Sequence, residues 1–286
     1  MSTLFLSIVS VFIWGTTWFA IKYQLGVVDP LWSVAIRFIL AAAILFVVCR
    51  VRGLSWKVKD HAGLIFLGLL LFGFNYWLSY LSEIYVTSGL TAVVFSAMVF
   101  MNVFNAFLFL HLKINRRVII GGLLGITGII LIYRPELMHT TGQNIFLGTV
   151  FAFVAAYSAS LGNIVAVKIK TKGLHVFQSN AWAMFYGGLA MALLSLLLRR
   201  PLSFDFSFPY LASLSYLVVF GSVIAFSAYL TLASRIGPDK AAYVTMFIPV
   251  VALIVSALFE GYRFTPDAII GIGLLIGGNF LALRKK

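Results

Sequence analysis

Charge is what this chain has least of. Asp, Glu, Lys and Arg make up 10% of its 286 residues and only 8 of them are acidic, where a soluble domain is about a quarter charged. Cys49 is the one cysteine, so no intrachain disulfide can form and packing has to hold the fold. The four histidines, His61, His111, His139 and His175, fall near the ends of apolar runs without metal-ligand spacing. No two carboxylates sit at a common depth within those runs, so neither a metal centre nor an acid-base dyad is legible. A Walker sequence is missing, which argues against ATP hydrolysis by this chain, and residues 271–277 are not a dinucleotide fingerprint because the last glycine spacing is wrong and no strand precedes them. No cofactor is therefore expected. The N-terminus lacks a basic n-region and no A-x-A site follows Ala20, so it reads as a retained first helix rather than a signal peptide.

What is abundant is apolar surface. Some 62% of the residues are hydrophobic, more than a soluble core can bury, and apolar runs of about 18 residues or more recur along the chain as membrane-spanning helices do. The expected spans are Leu4–Ile21, Leu31–Val48, Ala62–Leu81, Ser88–Leu110, Val118–Tyr133, Ile145–Val167, His175–Leu198, Tyr210–Ala233, Ala241–Phe259 and Asp267–Leu283. The links between them are short, so consecutive helices should be antiparallel neighbours. The net charge of +13 would suggest nucleic acid in a soluble protein, but here the basic residues sit in those links, where they report topology. With the N-terminus inside, the inner links and the tail hold 15 Lys and Arg, among them Arg50, Arg52, Lys57, Lys59, Arg116, Arg117, Lys168, Lys170 and Lys172. The outer links hold 5: Lys22, Arg134, Arg199, Arg200 and Arg263. Both termini should face the cytoplasm, in a cytoplasmic (inner) membrane.

The two halves show a sparse internal match. A shift of 149 residues aligns Tyr80-Leu81 with Tyr229-Leu230, Ala92 with Ala241, Gly122 with Gly271 and Gly128 with Gly277; a shift of 146 aligns Lys22 with Lys168 and Ala35 with Ala181. Residues 1–137 and 138–286 are thus read as two five-helix repeats. An odd number of spans per repeat inverts the second copy, an architecture that lets a midplane site open to either side.

The first expected helix carries Trp14-Gly15-Thr16-Thr17-Trp18, the second Pro30 and then Arg37-Phe38, and later come Pro249 and a Glu260 that precedes a glycine-spaced last helix. On these residues the chain resembles the EamA family of the drug/metabolite transporter superfamily over essentially its whole length. The first half departs in having His111 where the second has Glu260. The resemblance implies an all-α polytopic membrane protein of ten helices in two inverted repeats that moves a small organic metabolite by alternating access.

Arg37 is the charge deepest within a span and needs a partner or water, as an anion contact or as a brace for the second helix. Glu83 is either a proton carrier or a solvated helix-end charge. Trp14, Trp18, Tyr76, Tyr80 and Tyr157 are candidate walls of a central cavity, with Asn102, Asn163 and Tyr229 as polar anchors, because polar groups in a span need a partner or a wet cavity. Packing and interhelical hydrogen bonds explain any one of them equally well. Pro249 marks the ninth helix as the candidate moving element. Gly121, Gly125, Gly128, Gly273 and Gly277 should let helices five and ten approach their neighbours. The expected partners are a small-molecule substrate and the bilayer, with no nucleic acid, and one chain of ten helices suffices as a monomer. An intramembrane enzyme acting on a lipid-like substrate should show a nucleophile or dyad, and a non-transporting scaffold has no use for a repeat.

Overall fold

The computed structural model describes residues 2–139, 144–236 and 238–283. The basic tail Arg284-Lys285-Lys286 lies outside the described residues, as do the side chains of Pro238 and Lys240. Ten helices are long and apolar enough to cross a bilayer: α1 (Thr3–Lys22), α2 (Pro30–Val51), α3 (His61–Tyr85), α4 (Ser88–Leu110), α5 (Arg116–Arg134), α6 (Ile145–Lys170), α7 (Val176–Leu197), α8 (Phe208–Ala233), α9 (Ala241–Phe259) and α10 (Pro266–Leu283). No strand occurs among the described residues. The helices start where local chemistry says they should. Asp29 accepts the Leu31 N–H at 2.9 Å ahead of Pro30, Asn144 accepts the Leu147 N–H at 3.2 Å, and His175 and Gln178 form a reciprocal capping box. The expected ends hold to within a few residues. The largest changes are at two C-terminal ends: the helix of α5 runs on past Tyr133 to His139, and α3 continues past Leu81 to Tyr85 and so takes Glu83 into the helix.

Two irregularities recur in both halves. In α3 the backbone widens to π-helical turns over Gly68–Phe74, and in α8 over Leu217–Ile224. Both α4 and α9 are interrupted, at Ser96-Ala97 and at Met246-Phe247. The turns there tighten to i→i−3 bonds, such as Ala97 N–H to Val94 O at 3.0 Å and Phe247 N–H to Val244 O at 3.3 Å. Pro249 is therefore not a kink within a continuous helix. It sits in the first turn of the second segment of α9, where its missing N–H costs nothing, and α4 breaks at the matching place with no proline.

α1 lies against α8 and α9, α6 against α3 and α4, α2 along α7, and α5 along α10. The glycines of the last pair meet reciprocally. A Cβ on Gly128 would stand 2.5 Å from the Gly271 carbonyl oxygen and one on Gly271 would stand 2.6 Å from that of Gly128, while Gly121 and Gly278 face each other in the same way. A shift of 150 residues carries Gly121 to Gly271 and Gly128 to Gly278. On α5 the close approach uses Gly121 and Gly128, as the spacing suggested, while Gly125 faces Phe100; on α10 it uses Gly271 and Gly278, because Gly273 and Gly277 have nothing within 4 Å. The principal core joins α2, α3, α7 and α8 through Val34, Phe38, Leu67, Phe72, Tyr80, Met184 and Leu217. Large apolar side chains such as Ile119, Leu123, Ile126 and Ile130 of α5 point outward, as a bilayer requires and water would not.

Candidate functional site

Arg37 lies at the centre of the α2–α3–α8 contact and is 1% exposed. Its neighbours are set by the widened turns of α8. Ser222, inside the π-helical stretch, donates to the Leu217 carbonyl five residues back at 3.0 Å and accepts a long bond from Arg37 Nε at 3.4 Å. Gly221, one residue earlier, accepts from Trp14 Nε1 at 3.2 Å, and a Cβ there would press on Thr17 and on the guanidinium. Two rings carry the Arg37 charge, Tyr76 with its centroid 4.6 Å from Cζ and Phe38 at 5.1 Å. Nη1 meets no hydrogen-bond partner.

Around this cation the aromatic side chains form one connected chain across four helices. Tyr229 and Phe226 of α8 pack on Trp14 of α1 at 5.3 and 5.1 Å, Phe226 reaches Phe72 of α3 at 6.0 Å, and Phe72 and Tyr76 flank Phe38 of α2 at 5.4 and 4.6 Å. Tyr80 follows Tyr76 on the same face of α3, is 0% exposed, and lies within the electrostatic reach of Arg37. Trp18, one turn from Trp14, packs on Phe95 of α4 at 5.1 Å, just before the break in that helix.

Trp14, Trp18, Arg37, Tyr76, Tyr80 and Tyr229 are thus gathered into or beside one region. The other candidates are placed differently. Asn163 donates to Asn102 Oδ1 at 3.3 Å and toward Met98 Sδ at 3.7 Å, and Asn105 donates to Ser160 at 2.9 Å, so these amides tie α4 to α6 instead of offering free anchors. Tyr157 is 37% exposed and shares an outward stripe of α6 with Phe146, Val150 and Phe153, so it walls nothing central. Pro249 opens the second segment of α9, as described above. On α7, Trp182 donates to the Trp56 carbonyl at 2.9 Å and the Tyr186 hydroxyl lies 2.7 Å from His61 Nδ1, so this aromatic group fastens the link between α2 and α3. Phe38, Phe72, Phe95, Phe226 and Ser222 complete the region. Only Phe38 stood out in the sequence, through its pairing with Arg37.

At one end of the bundle a polar tie joins α1, α3, α4 and α9. Lys22 Nζ donates to the carbonyls of Glu83 (2.5 Å) and Val86 (2.8 Å) and stands 3.6 Å from Glu260 Oε1. Glu260 accepts from the Ser88 N–H at 3.2 and 3.1 Å and from the Ser88 hydroxyl, so it caps the start of α4 from the end of α9. The opposite end is held by Lys172 and Asp60, 2.6 Å apart. The Lys172 hydrogen bond, followed by that of the Gly63 N–H, holds Asp60 below the usual carboxylate range. Between α1 and α9 a groove of about 380 Å³ opens sideways, lined by Ile8, Val11, Phe12, Val244, Phe247 and Val251 with Ser7 and Tyr243 as its only hydroxyls. Its walls are apolar and it lies apart from the residues around Arg37. No cluster of metal-ligating side chains occurs among the described residues.

Similarity to known proteins extends over the whole chain. It is 27% identical to the uncharacterized transporter YoaV of Bacillus subtilis, covering 98% of this chain and 97% of the relative. It is 26% identical to the protein PagO of Salmonella typhimurium (96% and 90%) and 25% identical to the uncharacterized inner membrane transporter YedA of Escherichia coli (96% and 88%). A solved crystal structure shares the fold with a TM-score of 0.70 at 16% identity, over 98% of this chain and 96% of its own. The sequence model of the EamA-like transporter family matches residues 1–134 and 146–284. With ten apolar helices and this match, the chain is an integral membrane protein and belongs to the EamA-like transporter family.

Proposed function

We propose that this protein is a secondary transporter that carries a small organic molecule, with an aromatic or apolar body and an anionic group, across a cytoplasmic membrane by alternating access. Amino acids and aromatic metabolites have this form. The observation that carries the reading is Arg37, a buried guanidinium with Nη1 unspent that lies over the Phe38 and Tyr76 rings at one end of a chain of aromatic side chains. A charge kept in such a place is costly unless a partner arrives, and a carboxylate is the partner a guanidinium binds best. Trp14, Trp18, Tyr76, Tyr80 and Tyr229 would cover the apolar body of the substrate.

Alternating access draws support from the packing. The contact of α1 with α8 is matched by that of α6 with α3, and α1 with α9 by α6 with α4, as two halves related by a pseudo-two-fold axis would give. In that scheme residues 1–137 and 138–286 rock against each other, both termini are cytoplasmic, and the interrupted helices α4 and α9 absorb the movement.

The test is uptake of radiolabelled amino acids, nucleosides, sugars and aromatic carboxylates into proteoliposomes. Saturable uptake of a carboxylate that Arg37→Ala or Trp14→Ala abolishes in folded protein is expected. Uptake that neither variant alters, across every transported compound, would remove these residues from the pathway.

A further inference from the structure

Glu83 is the one acidic residue among the described residues that is fully enclosed: it is 1% exposed and neither carboxyl oxygen meets a hydrogen-bond partner. From sequence it is either a solvated helix-end charge or a proton carrier, and its 1% exposure excludes the first. Lys22 and Glu260, the charged groups at the ends of the neighbouring helices, are engaged elsewhere. Lys22 of α1 gives its protons to the backbone carbonyls of Glu83 and Val86, and its charge is met by Glu260. Glu260, from the end of α9, is spent on Ser88. The hydroxyls of Ser82 and Thr91 pair with each other at 3.1 Å, and α6 crosses here with Gly148. The charges that act on the Glu83 carboxyl are Lys22, Glu260 and Arg37, and Tyr80 is the titratable neighbour on its own helix.

Tyr76, Tyr80 and Glu83 follow at four and three residues along one face of α3, so that face leads from the rings over Arg37 to the carboxyl. The rise from Tyr76 to Glu83 is about 10 Å. Arg37 is therefore a positive charge with no anion in contact, and Glu83 is an acid with no cation in contact, one short helical stretch apart.

We propose that Glu83 is a proton-binding site coupled to the anion site at Arg37, so that a proton and an anionic substrate are carried together. The coupling is one of charge. Arg37 can be balanced by one anion at a time: above the pH at which the enclosed Glu83 ionises, by Glu83 when the site is empty, or by the carboxylate of the substrate, in which case Glu83 takes a proton from water. Substrate binding adds one proton to the Glu83 carboxylate, giving the neutral acid, and substrate release returns that proton to the water on the side where the site is open. By linkage the proton favours the anion as much as the anion favours the proton. For two charges spaced by the length of that helical stretch, about 10 Å, the mutual effect is on the order of tenfold in affinity. An inward proton gradient would then bring the anion inward. The coupling rests on the anion site proposed above, whereas the proton site does not.

Infrared difference spectra of the purified full-length protein test the proton site without any substrate. Acidification is expected to raise the stretching band of a buried protonated carboxylic acid that Glu83→Gln removes and Glu260→Gln keeps. Glu83→Asp keeps the acid and shifts its band, which assigns it even if the Gln variant does not fold. A band untouched by both Glu83 variants, or none at all, overturns the proposal.

Binding of radiolabelled phenylacetate, phenylalanine and benzoate, followed across pH with a pH indicator in weak buffer, tests the coupling. Wild type should take up at most about half a proton per molecule bound, the maximum for a tenfold coupling, and lose on the order of tenfold in affinity toward alkaline pH, and Glu83→Gln should do neither. The same pH dependence in wild type and Glu83→Gln overturns the coupling. Failure of every probe to bind overturns the anion site, and the infrared result still decides the proton site.

Discussion

Arg37 makes one long bond through Nε, leans on two rings and leaves Nη1 unmatched. If the residue only braced α2, lysine would serve nearly as well. If it receives a carboxylate, the planar fork matters, and Arg37→Lys should weaken substrate binding by about tenfold or more. The apparent KM in proteoliposomes reads this, and an unchanged KM in a folded variant would return Arg37 to a structural role. Asp60 offers a residue-level pH dependence. Its carboxyl is held low by Lys172 and the Gly63 N–H, so the stabilisation it gives is complete above the unfolded value of about 3.9 and is lost as pH falls through the lower folded value. Acid unfolding followed by circular dichroism should lose this component in Asp60→Asn, and by a small amount that salt reduces, because Lys172 is well exposed. Arg37 was legible in the sequence because a lone charge in an apolar run needs an explanation. Phe72 and Phe226 were not, because the chain has 27 phenylalanines and helical spacing does not say which of them turn inward. Tyr157 shows the converse: a hydroxyl in a span suggested a cavity, and the tyrosine stands on an outward face.

At the level of elements, the break in α9 belongs to the architecture rather than to Pro249, since α4 breaks at Ser96-Ala97 after an 8-residue helical segment, as the chain does after Pro238–Thr245. Pro249→Ala should keep the break and the transport rate to within about twofold, with a stability loss of roughly 0.5–1 kcal/mol from the more flexible unfolded chain. Loss of transport in a folded Pro249→Ala protein would make the proline itself part of the movement. The α5–α10 contact gives a second test. Gly128→Ala and Gly271→Ala put a methyl group against backbone oxygen and should each cost about 1–3 kcal/mol, while Gly273→Ala and Gly277→Ala should be close to neutral because nothing lies nearby. Thermal stability of the detergent-purified variants separates the two classes. That glycines would bring helices together followed from their spacing; which glycines did so depended on the rotation of each helix, and composition does not set that. The π-helical stretches follow from no spacing or motif in the sequence, although they free the Gly221 carbonyl for Trp14 and bring Ser222 to Arg37.

For the molecule as a whole, the orientation expected from the basic links can be tested by labelling. In a Cys49→Ala background, a cysteine at Ser203 in the link after α7 should react with a membrane-impermeant maleimide on intact spheroplasts. One at Lys57 in the link after α2 should react only after the cells are opened. The reverse pattern would invert the topology and the side on which the Lys22–Glu260 tie stands. What the sequence determined by itself was the solvent and the count of helices. Apolar runs of span length between short basic links admit little but a polytopic helical protein, because a bilayer leaves no other way to satisfy the backbone. The family resemblance was likewise carried by residues adjacent in the chain, from Trp14 to Trp18 and at Arg37-Phe38. Only the tertiary structure decided which side chains share a place. Rotation about each helix axis and the widened turns of α3 and α8 are set by packing between distant segments. That packing joined Trp14, Arg37, Tyr76, Tyr80 and Tyr229, paired Asn102 with Asn163, turned Tyr157 outward, and enclosed Glu83.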